Sequence, residues 1–231
     1  MSFSDWAVYN HGFDGYSGNP SVGTTINYFG GSDALVFSGG IGHGFDTGGD
    51  GASANVIPTT FSIGFLHGKL RTLINPVLSG PANHGLICMQ SVADMEGGVG
   101  GKGYAVMLDS VTASNKLVLV RMNNGIAPSL GGSFGSSYSL LGESANSIWT
   151  EDTVYCLEIE WHVDTALGGV YVIGRFGSQT DFSDLTIFSQ CLDATGHAQL
   201  TTVGESLYAS LTTNSLIVAY DNTQLIQLIP I

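Results

Sequence analysis

Two glutamates, Glu158 and Glu160, stand two residues apart in the run Val154-Tyr155-Cys156-Leu157-Glu158-Ile159-Glu160-Trp161-His162-Val163. On a strand this spacing sends both carboxylates from one face with their backbones about 6.5–7 Å apart. Two acids so placed suit acid/base or nucleophilic work on a glycosidic bond. The structural alternative is an ion pair: if Val163 pairs with Val170, Arg175 lies opposite Glu158 on the neighbouring strand. The same period-two alternation sets His162, Tyr171, Ile173 and Arg175 beside the acids, and Leu157, Ile159, Trp161, Val172 and Phe176 on the other face. One face is therefore expected to be core. The other is expected to be polar or an interface, with Glu158, Glu160, His162, Tyr171 and Arg175 meeting a partner.

Other chemistry is thinner. Asp46 and Asp50, with Asp14 and Asn19, supply oxygens that could hold Ca²⁺ in Gly-rich loops, but their spacing matches no EF-hand, and such loops are commonly solvated turns. The expectation is no cofactor, with Ca²⁺ as the alternative. The histidines His11, His43, His67, His84, His162 and His197 lie far apart along the chain, without the close pairs that mark zinc. There is no Gly-x-Ser-x-Gly elbow. The run Gly97–Gly103 lacks the Lys-Ser/Thr ending of a phosphate loop and reads as a plain loop. Trp6, Tyr16, Tyr28, Trp149 and Tyr208 could form a sugar-stacking platform, although core packing is the commoner use of such residues.

The elements that must carry these residues are strands. Short apolar or alternating runs bounded by Gly, Asn, Asp and Ser recur at Phe61–Leu66, Gly85–Gln90, Tyr104–Asp109, Lys116–Met122, Val154–Val163, Val170–Phe176, Leu216–Tyr220 and Leu225–Ile229. Three hairpins are expected: Val154–Val163 with Val170–Phe176 through residues 164–169, Tyr104–Asp109 with Lys116–Met122, and Leu216–Tyr220 with Leu225–Ile229 through Asp221-Asn222. The apolar end Leu225–Ile231 is expected either to close the sheet as a central strand or to pair between subunits. Many short strands with frequent turns argue for a sandwich, here one domain over residues 1–231 with Gly-rich N-terminal loops.

Hydrophobic residues make up 43% of the chain and charged residues only 11%, against about 25% in typical domains, so burial of some surface against other chains is expected. The net charge of −13 repels phosphate backbones and anionic membranes, and Lys69, Arg71, Lys102, Lys116, Arg121 and Arg175 form no stripe along the sequence. No nucleic-acid or membrane partner is expected. Met1–Asn10 has neither a basic nor an apolar leader segment, and no run approaches the ~18 apolar residues of a spanning helix. Cys88, Cys156 and Cys191 are odd in number, and the first two lie in apolar runs, so reduced thiols are expected.

From about Gly103 onward the order of features is similar to a concanavalin A-like or laminin-G-like jelly roll of the kind found in bacteriophage structural proteins. The matching segments are GYAVMLD with KLVLVRMNNG, then Trp149 leading into VYCLEIEWHVD, then GGVYVIGRFG, and finally SLYASLTTNSLIVAYDNTQL. The resemblance implies an all-β, antiparallel two-sheet sandwich. The Glu158 strand also resembles the Glu-x-Asp-x-x-Glu strand of one concanavalin-like glycosidase family, whose first and last acids act; here Val163 replaces the last, and no enzyme is expected. What the resemblance implies for function is a non-enzymatic virion protein, made in the host cytoplasm. Such a protein decorates the capsid as cement, adhering to major capsid or other virion proteins as a homo-oligomer such as a trimer. The alternatives are a lectin-like carbohydrate-binding module of a tail fibre or receptor-binding protein, with a glycan partner, and behind it a glycoside hydrolase.

Overall fold

In the computed structural model, period-two alternation becomes strand throughout. The structure describes residues 3–11, 27–29, 35–38, 43–46, 52–55, 66–76, 83–91, 103–110, 114–122, 138–195, 207–213 and 218–231, and these contain no helix. The strands are β1 (Phe3–His11), β2 (Asn27–Phe29), β3 (Leu35–Ser38), β4 (His43–Asp46), β5 (Ala52–Asn55), β6 (His67–Pro76), β7 (Asn83–Ser91), β8 (Gly103–Asp109), β9 (Lys116–Met122), β10 (Tyr138–Glu143), β11 (Tyr155–Asp164), β12 (Gly169–Gly177), β13 (Thr186–Asp193), β14 (Leu207–Thr213) and β15 (Val218–Pro230). A six-stranded sheet runs β1-β15-β6-β11-β12-β13, and a seven-stranded sheet runs β10-β9-β8-β7-β14-β5-β2. β3 and β4 form a separate pair, and every pairing is antiparallel.

The core lies between the two large sheets. Leu70 and Ile74 of β6, Leu157, Ile159 and Trp161 of β11, and Val170 and Val172 of β12 pack with Leu86 of β7, Tyr104, Val106 and Leu108 of β8, and Leu117 and Leu119 of β9. Trp161 is 1% exposed, so truncating it to Ala would cost on the order of 3–5 kcal/mol. The seven-stranded sheet is apolar on its other face as well, where Ala105, Met107, Val118, Val120 and Met122 form a second buried cluster. Two-sided burial explains why β8 and β9 read as continuous apolar runs. It also absorbs, within the chain, part of the apolar excess expected to lie against other chains. β11 and β12 alternate instead, because their outer face is polar.

The β11–β12 hairpin pairs Val163 with Val170 and Glu158 with Arg175, the expected register. Its turn is held by Asp164, whose Oδ1 accepts hydrogen bonds from the Ala166 and Leu167 amides at 3.0 and 2.9 Å, and by Gly168 at φ +65°. β8 and β9 pair as expected, with Asp109 opposite Lys116.

The hairpin expected at the C-terminus does not form. Val218–Pro230 is one strand, paired with β6 on one side and β1 on the other, which makes it central in its sheet. The Asp221-Asn222 turn signal is absorbed as an irregularity: Asn222 takes φ 46° and the register with β6 shifts between Asp221 and Gln224. β6 is a central strand outside the expected runs, and the expected run before it, Phe61–Leu66, lies outside the described residues except for Leu66.

All three cysteines are free thiols, with Cys88 and Cys156 buried. Among the described residues no helix is long and apolar enough to cross a membrane.

Candidate functional site

The outer face of the six-stranded sheet is a grid set by strand register. β6, β11 and β12 contribute one residue each to successive rows: Arg71, Glu158 and Arg175; then Lys69, Glu160 and Ile173; then His67, His162 and Tyr171. The five residues singled out from sequence stand together here. Those missed are on β6, where His67, Lys69 and Arg71 alternate with the inward Gly68, Leu70 and Thr72. Their period-two pattern was legible, but nothing local names β11 as the strand beside them. Three of the six basic residues, scattered in sequence, thus converge on one face.

The first row is closed. Arg175 Nη1 donates to Glu158 Oε1 at 2.6 Å and to Glu160 Oε2 at 2.5 Å, so a single nitrogen bridges both acids. Arg71 lies 3.9 Å from the other Glu158 oxygen, donates from Nε to Gln224 at 2.8 Å, and stacks under the Phe182 ring at 4.5 Å from its centroid. Phe182 sits on the loop after β12 at φ 63°, a costly conformation for an aromatic residue. Asp184 ties that loop down by accepting from Ser178 N, Ser178 Oγ and Gln179 N at 2.8–2.9 Å. Cys156 lies buried near the same loop, its thiol donating to the Gln179 carbonyl, and burial pushes the thiol up to about 11.

Burial raises the Glu158 carboxyl above its ordinary range, with Arg175 opposing, and its side chain is only 4% exposed. Burial also pushes Glu160 upward, but hydrogen bonds from His162 and Arg175 outweigh it and hold the acid at about 2. A glycosidase needs a protonated acid and a free carboxylate facing the sugar. Here both acids share one guanidinium, and the one with the raised pKa is sealed from solvent.

The last row is open. A groove of about 610 Å³ is lined, among the described residues, by Leu66, His67, Glu160, His162, Tyr171, Ile173 and the hairpin residues Val163–Ala166. Three rings stand in line across β6, β11 and β12: His67 and His162 have centroids 5.6 Å apart and planes tilted by 38°, and His162 and Tyr171 are 6.5 Å apart at 31°. Glu160 Oε1 and His162 Nε2 are 2.5 Å apart, which fixes the middle ring. Burial, then the neighbouring His162, lower the pKa of His67. The groove thus offers a row of flat rings edged by an ionised acceptor, Glu160.

The remaining expectations divide. Trp149 is core, 4% exposed, with Nε1 donating to the Lys116 carbonyl at 2.9 Å, so it takes no part in a sugar platform. Trp6, Tyr28 and Tyr208 lie on strands whose side chains are outside the described residues, as does Tyr16 entirely. Of the Ca²⁺ alternative, Asp14, Asn19 and Asp50 fall outside them and Asp46 ends β4 with its side chain outside them, and Gly97–Gly103 lies outside apart from its last residue. Two histidines far apart in sequence, His67 and His162, are cross-strand neighbours. Among the described residues, no three His, Cys, Asp or Glu side chains group to hold a metal.

No protein-family model matches this chain, and no curated protein does. Solved structures do match. The chain is similar to the CBM2 module of the evolved Dit of Lactobacillus casei BL23 phage J-1, at 12% identity and TM-score 0.52 over 100% of both chains. It is similar to a Bacillus subtilis protein of unknown function with a galectin-like fold, at 10% identity and TM-score 0.56 over 99% of this chain and 100% of the other. The fold is a concanavalin A-like, galectin-like jelly roll. A third match is the exoplasmic/lumenal domain of VIP36 in its Ca²⁺/Man3GlcNAc-bound form, at 10% identity and TM-score 0.56 over 96% and 90% of the two chains. At these identities the likeness speaks for the jelly-roll fold, and the fold is of the kind that lectins and carbohydrate-binding modules use.

Proposed function

We propose that this jelly roll, with residues 1–231 acting as one domain, is a non-enzymatic carbohydrate-binding module carried on a virion. A sugar seats in the groove over His67, His162 and Tyr171. The observation that carries the reading is the three-ring row edged by a preorganised acid. Flat rings stack on the apolar face of a pyranose, while an ionised carboxylate accepts from its hydroxyls, and a concave site with a few fixed polar groups is the ordinary form of a small-ligand pocket. The fold shared with a phage carbohydrate-binding module and with a Man3GlcNAc-bound domain supports the same reading. Glu158 is sealed and shares the Arg175 guanidinium with Glu160, which leaves no protonated acid facing the groove beside a free carboxylate, so hydrolysis is not expected.

Capsid decoration is the second reading. It is favoured by Ile187 and Leu192 on the edge strand β13, which are 51% and 39% exposed and flank the same face. In that reading the face of Glu158, Glu160, His162, Tyr171 and Arg175 meets a capsid subunit or a second copy of the chain.

A glycan array with the full chain and with Tyr171→Ala, alongside light scattering and capsid co-sedimentation, separates the two. Glycan binding that Tyr171→Ala abolishes supports the groove. Binding that the variant keeps moves the site elsewhere. Absence of glycan binding with capsid co-sedimentation establishes the second reading.

A further inference from the structure

The groove's charges are compensated at neutral pH. Glu160 is held by Arg175 and His162 and faces Lys69 across the strand pair. Among the described residues, those facing the two imidazoles include Lys69 from β6, Glu160 and Asp164 from β11, and Tyr171 from β12. Beyond β6, β15 brings uncharged Gln224 and Ile226 opposite Arg71 and Lys69. Histidine is the side chain whose ordinary charge change falls between about pH 5 and 8. We propose that the groove changes its charge preference with pH, taking neutral sugar units at neutral pH and units bearing a carboxylate or sulfate once the imidazole of His67, beside the His162 ring, is protonated.

The geometry supports this in two ways. Both rings line one groove with centroids 5.6 Å apart, so a proton on His67 puts positive charge beside the His162 ring, and an anion seated over the pair meets that charge. Binding of that anion draws a proton onto His67 by linkage. Burial and His162 keep His67 neutral to lower pH than an exposed imidazole, so the switch falls on the acid side of neutrality. Glu160 stays ionised through that range, and the change in groove charge comes from His67.

The inference rests on the carbohydrate reading for its ligand class, and the test keeps the two apart. Sulfate is titrated into the full chain against chloride at equal ionic strength while the imidazole proton resonances are followed by NMR. At about pH 5, sulfate is expected to shift the signals of His67 and His162 and raise the His67 midpoint, binding about tenfold tighter than at about pH 7.5. The response is expected to vanish in His67→Asn and in His162→Asn. No response at the lower pH, or one that both variants retain, overturns the proposal. On the glycan array, sulfated and uronate-bearing sugars are expected to gain about fivefold over neutral ones across the same interval. Neutral-sugar binding lost in Tyr171→Ala, without any acid-side gain for anionic sugars, overturns the pH switch and leaves the carbohydrate reading standing. A sulfate response with no glycan bound at either pH removes the carbohydrate reading and leaves the pH-gated anion site.

Discussion

Two arginine-centred clusters make an instructive pair. On the outer face, Arg175 bridges Glu158 and Glu160, and the chain of bonds runs on to His162 at the rim of a groove. Between the sheets, Arg121 of β9 reaches Asp193 of β13 at 2.8 and 3.0 Å, and Tyr104 of β8 donates to the same carboxylate at 2.9 Å. Thr195 adds an amide at 3.2 Å and a hydroxyl at 2.7 Å. Burial pushes Asp193 upward, but the bonds from Thr195, Tyr104 and Arg121 outweigh it and hold the carboxyl below its usual range. The inner cluster joins two sheets around a carboxylate whose side chain is 3% exposed. The outer one is sealed by Phe182 at one end and open at the other, so part of its charge is free to meet a ligand. Similar side chains thus act as a clasp or as a site according to what covers them.

The sharpest break is expected from Asp193→Ala. It strands Arg121 and the buried Tyr104 hydroxyl between the sheets and should cost about 3–5 kcal/mol in urea unfolding, with affinity at the groove unchanged in the protein that remains folded. A loss under about 1 kcal/mol would put the clasp on a par with an exposed ion pair.

Glu160→Gln should be smaller and pH-dependent. An acid held at about 2 against an ordinary value of 4.5 contributes stability that is present above the ordinary value and fades as pH falls toward the folded one. The cost should be about 3 kcal/mol at neutral pH and close to nil near pH 2, measured by unfolding at both. Glu158, raised by burial, works in the opposite sense and flattens the wild-type curve over the same interval.

Tyr171→Ala removes a partly exposed ring from the open row and should change stability by about 0.5 kcal/mol or less. Its effect should appear in glycan affinity, as a loss of about tenfold or more by calorimetry. Equal loss of stability and affinity would make the open row a support instead of a site. Chelation should do least: Glu160 is engaged by Arg175 and His162 and Asp164 by two amides, so EDTA is expected to leave groove binding unchanged.

Much of this contrast was legible along the chain where partners are close in sequence. The alternation through Leu157–Val163 and Val170–Phe176, with a short connection ending in two glycines, named the register and both faces before any fold was known. Glu158 and Arg175 could be paired for that reason. The inner clasp could not, because Asp193 and Arg121 are 72 residues apart and no short window links them. Asp221-Asn222 misleads: a turn-like pair inside a long strand is read locally as a reversal, whereas pairing with β6 before and after it, and with β1 from Thr223 onward, carries the chain straight on and confines the pair to a bulge.

By itself the sequence determined an all-β chain, the β8–β9 and β11–β12 hairpins, and the polar face carrying Glu158, Glu160, His162, Tyr171 and Arg175. Period-two patterning and turn chemistry are local, and local rules suffice for them. Only the tertiary structure decided that β6 lies beside β11, which sets His67 against His162 and Arg71 against Glu158 and so makes one end of the face a sealed ion cluster and the other a groove. Strand pairing across some ninety residues is selected by the packing of the whole sandwich, where each inward side chain must find its place between the two sheets at once.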